Sequence, residues 1–195
     1  MARVLSGPAP APDTGDLLLV AAGDDAAVQR LLERWRQPLY SLFERMQEPS
    51  GAVDSAAEVL GELFRTAGRF DPDVPFPAWI WGIAARHVQR NPPQPVVEIS
   101  PQRLRESVAA RTALLRSAVA ALPGMERAAF LLTRVARLPL QTAARAMGLS
   151  ETDLRRRLVR AMQSLMASLW PLLELPEDVT VPVPTEPAVE GPESS

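Results

Sequence analysis

The sequence predicts an all-α protein made of two small helical domains joined by a proline-rich linker. Three observations carry that prediction. The long apolar stretches before residue 171 repeat at helical spacing, and none needs the strict alternation of a half-buried strand. Prolines and glycines concentrate between those stretches, most densely at Asn91-Pro92-Pro93-Gln94-Pro95. A chain of 195 residues with 47 % hydrophobic content has enough material for one domain or two small ones. Aromatic residues make up 5 %, so the core is expected to be Leu, Ala and Val.

Residues 1–15 are rich in Pro, Ala and Gly without periodicity and are expected to be disordered, with order beginning at Asp16. From Asp24 onward Ala27, Leu31, Leu32, Trp35, Leu39, Leu42, Phe43 and Met46 mark a helix, which Pro38 is expected to kink or restart. Glu48-Pro49-Ser50-Gly51 reads as a break. A second helix over Val53 to Ala67 buries Ala56, Val59, Leu60, Leu63 and Phe64. Asp54, Glu58, Glu62 and Arg65 form its other face, for which solvation is the default reading.

The stretch from Arg69 to Pro77 is too rich in proline for a helix, and a third helix follows over Ala78 to Arg90. Its tryptophans and the nearby phenylalanines suit either stacking on unpaired bases or the aromatic plug of a small core. Trp79 fits the core better; for Trp81 and Phe76 the residues alone leave both readings open. The domain over residues 16–90 therefore reads as a three-helix-type bundle, and residues 91–103 as an extended linker. Periodicity resumes near Leu104 and runs to Leu122, Pro123-Gly124 punctuates it, and Glu126 to Val135 forms another helix. The second domain spans 104–170, its last helix ending near Trp170-Pro171. Residues 171–195 form a Pro/Glu-rich acidic tail.

The absence of cysteine rules out a disulfide framework, a Cys metal site and a thiol nucleophile. The only histidine, His87, lies in a helical stretch and reads as structural. With no credible nucleophile, base or metal cluster, no catalytic residue and no cofactor are expected, and the chain does not read as an enzyme. No apolar run reaches the length of a membrane span, and the N-terminus is a poor signal peptide, so a soluble cytoplasmic protein without membrane insertion is expected.

The net charge of −2 conceals an asymmetry. Residues 1–99 carry 9 Arg and 13 acids, residues 100–170 carry 12 Arg and 4 acids, and residues 171–195 carry 6 acids and no base. All 21 basic residues are Arg, a bias that reads as genomic composition more than chemistry. The basic block falls on the stretch Leu138 to Met162, LPLQTAARAMGLSETDLRRRLVRAM, which has the layout of a helix, a tight turn and a second helix. Ala143, Ala144 and Met147 would let a partner helix approach the first helix. Gly148 sits where the turn needs positive φ, and Ser150 can cap the second helix, with Asp153 in the capping-box place. Leu154, Leu158, Ala161 and Leu165 then form an apolar face opposite Arg155, Arg156 and Arg160. That pattern suits a DNA-recognition helix, and equally an ordinary helical hairpin with a solvated basic face.

Taken in order, the pieces resemble a bacterial RNA polymerase sigma factor of the minimal, extracytoplasmic-function group over roughly residues 16–170. The resemblance is carried by LLLVAAGDDAAVQRLLERWRQPLYSLF and RFDPDVPFPAWIWGIAARHVQR in the first half. In the second half it is carried by ALPGMERAAFLLTRVARLPLQTAARAMGLSETDLRRRLVRAMQSL. It implies a region 2 domain that binds the clamp helices of the polymerase β′ subunit and opens the −10 element. It also implies a region 4 domain that binds the β flap and reads the −35 element. RNA polymerase core and promoter DNA are the implied partners, with an anti-sigma factor as a further candidate.

Carried over by position, the polymerase-binding candidates are Asp54, Glu58, Glu62 and Arg65. Asp54 and Glu58 keep family acids, whereas Gly51, Val53 and Ala57 replace two acids and a Gln. The DNA-binding candidates are Phe76, Trp81, Arg86 and Arg90 in the first half and Thr152, Arg155, Arg156, Arg157 and Arg160 in the second. In WIWGIAAR, Trp79 to Arg86, both aromatic positions of the family pattern are kept, but its two arginines are replaced by Gly82 and Ala85. Because phosphate contacts dominate affinity, that loss implies poor or selective strand opening. Glu151 and Asp153 are unusual at a helix end that approaches phosphate, although they suit its dipole. The alternative is a divergent sigma-like regulator that binds polymerase or an anti-sigma factor without melting DNA. A further expectation is that the acidic tail either solubilises the chain or folds back over the basic face.

Overall fold

The structure is a computed structural model, and it describes residues 11–91 and 107–173, with side chains as far as Leu169. The linker expected at 91–103 lies outside the described residues beyond Asn91, as do residues 1–10 and the acidic tail beyond Leu173. Among the described residues there is no strand, and the fold is all-α.

Helix α1, Pro12–Ala21, begins four residues before the expected onset at Asp16. Pro12 explains the difference: its fixed φ suits the first helical position, where its missing N–H would be unpaired in any case. Asp16 is buried and is gripped by Arg30 at 2.8 Å and by Arg34, which ties α1 to α2, Asp25–Phe43. The Arg30 hydrogen bond, with Arg34 beside it, holds the Asp16 carboxyl below its ordinary pKa against the opposing effect of burial. Asp24 caps α2 by accepting from the Ala27 N–H at 3.0 Å, a cap worth about 1 kcal/mol. Pro38 does not restart the helix: α2 runs through it, with the proline exposed on its outer side.

Helix α3, Pro49–Arg65, absorbs the expected break at 48–51, again by placing a proline at the first turn; the chain turns earlier, at residues 44–48. Its buried stripe of Ala52, Ala56, Val59, Leu60 and Leu63 packs on α2. A short 3-10 turn at Ala67–Arg69 leads to α4, Phe76–Arg90, which starts at Phe76 rather than Ala78 because Pro77 is accommodated in its first turn.

The second half contains α5, Val108–Ala121, capped by Ser107, and α6, Gly124–Phe130. Helix α6 widens into a π-helical turn over Leu131–Val135 and closes at Arg137, the one described non-glycine residue with positive φ, at 54°. Helices α7, Leu140–Met147, and α8, Glu151–Leu173, complete the chain. Helix α8 passes the expected stop at Trp170-Pro171 and ends at Leu173.

The two halves are packed together. Helix α4 contacts α3 on one side and both α6 and α7 on the other, and one continuous cluster of buried side chains runs from Leu17 to Leu165. Helix α4 is accordingly covered nearly all round: Phe76, Ala78, Ile80, Trp81, Ile83, Ala84, Ala85 and Val88 are all buried.

Candidate nucleic-acid interface

The turn between α7 and α8 forms as the sequence expects. Gly148 adopts φ 64°, the Leu149 N–H donates to the Ala144 carbonyl at 2.9 Å, and the Gly148 N–H donates to Arg145 at 3.1 Å. Those two bonds close α7 in a Schellman arrangement that a residue with a Cβ would strain. Ser150 Oγ accepts from the Asp153 N–H at 3.1 Å and caps α8. The Asp153 carboxylate accepts a hydrogen bond from the Ser150 hydroxyl at 2.6 Å, so it steadies the capping side chain instead of reaching back to the main chain.

Helix α8 then divides into two faces. Leu154, Ala161 and Leu165 are buried and Leu158 is half-buried, as expected, while Thr152, Arg155, Arg156 and Arg160 are exposed. Arg155 pairs with Glu151 at 3.4 Å and Arg156 with Asp153 at 3.2 Å. Both arginine side chains are about two-thirds exposed, so these pairs are weak and can be exchanged for phosphate. Arg160 has no ion-pair partner among the described residues. Arg157 differs: it is tied at 3.0 Å to Glu126 of α6, a carboxylate only 11 % exposed, and so joins α8 to the body of its own domain.

In the first half the aromatic residues are placed otherwise than a stacking platform requires. Phe76 and Trp81 are 1 % and 5 % exposed. Trp35 packs on both, with ring centroids 5.4 Å from Phe76 and 5.7 Å from Trp81, and Phe70 lies edge-on to Phe76 and Trp79. Each such pair adds about 0.5–1.5 kcal/mol beyond area burial. In this conformation Phe76 and Trp81 are a core plug and present no ring face to a base. Arg86 and Arg90 are exposed, and both reach Glu62, at 3.5 and 4.0 Å.

Asp54, Glu58 and Arg65 are exposed on α3 and Glu62 is half-buried, so the four polymerase candidates share one ridge. At its end Glu58, Glu62, Arg65, His87, Arg90 and Asn91 line a charged cleft. His87 is buried, lies edge-on to Phe43 and stands 3.6 Å from Glu58. Burial pushes its pKa below the ordinary value, against the smaller pull of Glu58. Beside this ridge, α2 and α3 enclose an apolar groove lined by Leu32, Tyr40, Val53, Ala57, Leu60 and Phe64. Among the described residues there is no helix long and apolar enough to cross a membrane and no cluster of three or more His, Asp or Glu that could hold a metal.

Sequence reasoning missed the residues that join the halves. Arg127, 3 % exposed, donates Nη1 to Ala120 O at 2.7 Å and Leu122 O at 3.1 Å, and Nη2 to Val88 O at 2.7 Å. These are the unpaired carbonyls at the ends of α5 and α4, where helix dipoles favour a cation. Burial lowers the Arg127 pKa. Arg116 of α5 reaches Glu48, at the start of α3, at 2.8 Å. A charged residue within an apolar helical run was the only signal for Arg127, and it does not name its partner.

This geometry defines the class: an all-α protein whose second half carries a helix-turn-helix with a basic exposed face. Residues 112–165 match the family model described as sigma-70, region 4. The whole fold is similar to that of CnrH, solved in complex with the cytosolic domain of CnrY. The TM-score is 0.63 and the identity 24 %, over 83 % of this chain and 99 % of that one. No curated protein matches the chain. The family match is thus to residues 112–165, and the likeness to CnrH is one of fold.

Proposed function

We propose that the chain binds RNA polymerase core and directs it to promoters, with the second half reading the −35 element and the first half opening the −10 element. The observation that carries this reading is the exposed basic face of α8, set beyond a glycine turn within the region 4 match. Thr152, Arg155, Arg156 and Arg160 are the residues for DNA, with Arg145 on α7, also exposed, as a further phosphate contact. Asp54, Glu58, Glu62 and Arg65 are the residues for polymerase. The apolar groove between α2 and α3 suits the nonpolar face of an amphipathic helix. The complex of CnrH with the cytosolic domain of CnrY supports a protein partner of anti-sigma type for this chain too.

A second reading has its own observation. Phe76 and Trp81 are core residues and the family arginines are absent at Gly82 and Ala85, which favours a regulator that binds polymerase or an anti-sigma factor without melting DNA. Reconstitution with core polymerase on a promoter library separates the two. Open complexes and transcripts are expected from the first reading, whereas polymerase binding with no strand opening on any sequence would leave the second.

A further inference from the structure

Two residues in the left-handed conformation bracket α7, and the chain fills the two places differently. Gly148 closes the C-terminal end of α7 at φ 64°. Arg137 closes the π-helical turn before α7 at φ 54°. The main-chain bonding is alike at both. The Leu149 N–H donates to the Ala144 carbonyl, five residues back, and the Leu138 N–H donates to the Leu132 carbonyl, six residues back, at 3.0 Å. The extra residue is the one that a π-helical turn inserts, a feature found often at functional sites. Glycine suits such a closure because a Cβ crowds the following carbonyl oxygen. At Arg137 the chain keeps a long side chain against that preference.

Nothing among the described residues compensates for that choice. The Arg137 side chain is exposed and has neither an ion-pair nor a hydrogen-bond partner there. Its surroundings are basic as well. Residues 127–150 hold four arginines, Arg127, Arg134, Arg137 and Arg145, and no acid. Arg127 is occupied by carbonyls in the core, whereas Arg134 and Arg145 are exposed and partner-free like Arg137. On α8, by contrast, Arg155 and Arg156 already face Glu151 and Asp153. Most of the uncompensated positive charge of the helix-turn-helix therefore lies around α7. In that motif the first helix crosses the phosphate backbone while the second enters the groove.

We propose that Arg137 is a phosphate contact: an arginine held at positive φ in the wide turn before α7, where it anchors the helix-turn-helix on the backbone of duplex DNA with Arg134 and Arg145 beside it. The contact adds affinity at every sequence and reads no base. Strain kept at a binding residue is the usual reason for such an outlier to persist. The inference rests on the DNA-binding reading of the second half, and it moves a share of that binding from α8 to the turn before α7.

Arg137→Gly relaxes the backbone and removes the charge in one change, so stability and binding should move in opposite directions. The full chain is melted by circular dichroism and titrated with a short mixed-sequence duplex across a salt series, alone and bound to core polymerase. The melting temperature of Arg137→Gly should rise by about 2–4 °C, the shift that relief of a single strained residue gives in a chain of this size. The slope of log affinity against log salt should fall by about 0.9, as for one lost phosphate. Arg137→Lys keeps the charge and should keep the slope. Arg45→Gln, which removes an exposed charge from the other half, should leave the slope unchanged.

An unchanged slope in Arg137→Gly, where Arg160→Ala lowers it, would overturn the contact and leave DNA binding by α8 standing. Equal losses in Arg137→Gly and Arg45→Gln would reduce the effect to net charge and remove the contact as well. A lower melting temperature in Arg137→Gly would mean that arginine suits the turn, and the argument from strain would fail. One slope shared by every chain under both conditions, Arg160→Ala included, would sink the DNA-binding reading itself.

Discussion

Helices α4 and α8 were expected to play the same part, each offering side chains to DNA, and the fold treats them differently. Helix α8 keeps one apolar face against its domain and turns Thr152, Arg155, Arg156 and Arg160 to solvent. Helix α4 is clasped on two sides, by α2 and α3 of its own half and by α6 and α7 of the other. A helix with a solvated face announces its contact residues through amphipathicity. A helix covered all round does not, because a core residue and a recognition residue can then be the same amino acid type.

The largest effect that could break this contrast is at Phe76. As a core residue in contact with Trp35 and Phe70, Phe76→Ala should destabilise the chain by about 3–5 kcal/mol, the usual result for deleting a buried ring. A drop of less than about 0.5 kcal/mol in chemical denaturation, as for ordinary surface substitutions, would return Phe76 to an exposed role.

Within α8 the contrast sharpens between Arg157 and Arg160. Arg157→Ala removes the partner of the nearly buried Glu126 and should cost about 1–2 kcal/mol of stability, after allowing for the partial exposure of Arg157. Arg160→Ala should leave the melting temperature unchanged and lower the slope of log affinity against log salt by about 0.9, the signature of one lost phosphate contact. If Arg157→Ala lowered the slope with stability intact, the assignments of the two residues would have to be exchanged.

How far the sequence foretold these features follows the same division. Gly148, Ser150 and the two faces of α8 were legible because local chemistry sets them: positive φ demands glycine, a helix start needs a cap, and a period of 3.6 separates inside from outside. The helices were legible, but three prolines misled. Pro12, Pro49 and Pro77 read as breaks or loop residues, yet each sits in a first turn where no N–H is needed. Pro38 and Pro171 are carried inside their helices. The seam between the halves was not legible, because Gly82, Gly124 and Arg127 lie far apart in sequence from the Ala146, Gln89 and Val88 atoms they meet. Glycine inside α4 read as a missing arginine, since only the packed neighbour reveals why no side chain fits.

The smallest expected effect concerns His87, where the covered side of α4 meets the charged ridge of α3. Desolvation lowers its folded-state pKa below the ordinary 6.5, outweighing Glu58 and Glu62, which favour the cation, while Arg90 opposes it. The unfolded chain therefore binds the proton at a higher pH than the folded one. The stability associated with neutral His87 is complete above about pH 6.5, declines as the pH falls through that value, and stops declining below the folded-state pKa. The difference between the wild type and His87→Gln isolates the histidine. The wild type should lose more melting temperature than the variant between pH 7 and pH 5.5. A wild type that gained stability over that interval would mean that Glu58, 3.6 Å from Nδ1, outweighs burial. The cleft would then be an ion-pair site on the α3 ridge, and α4 would be less thoroughly enclosed than its other neighbours make it.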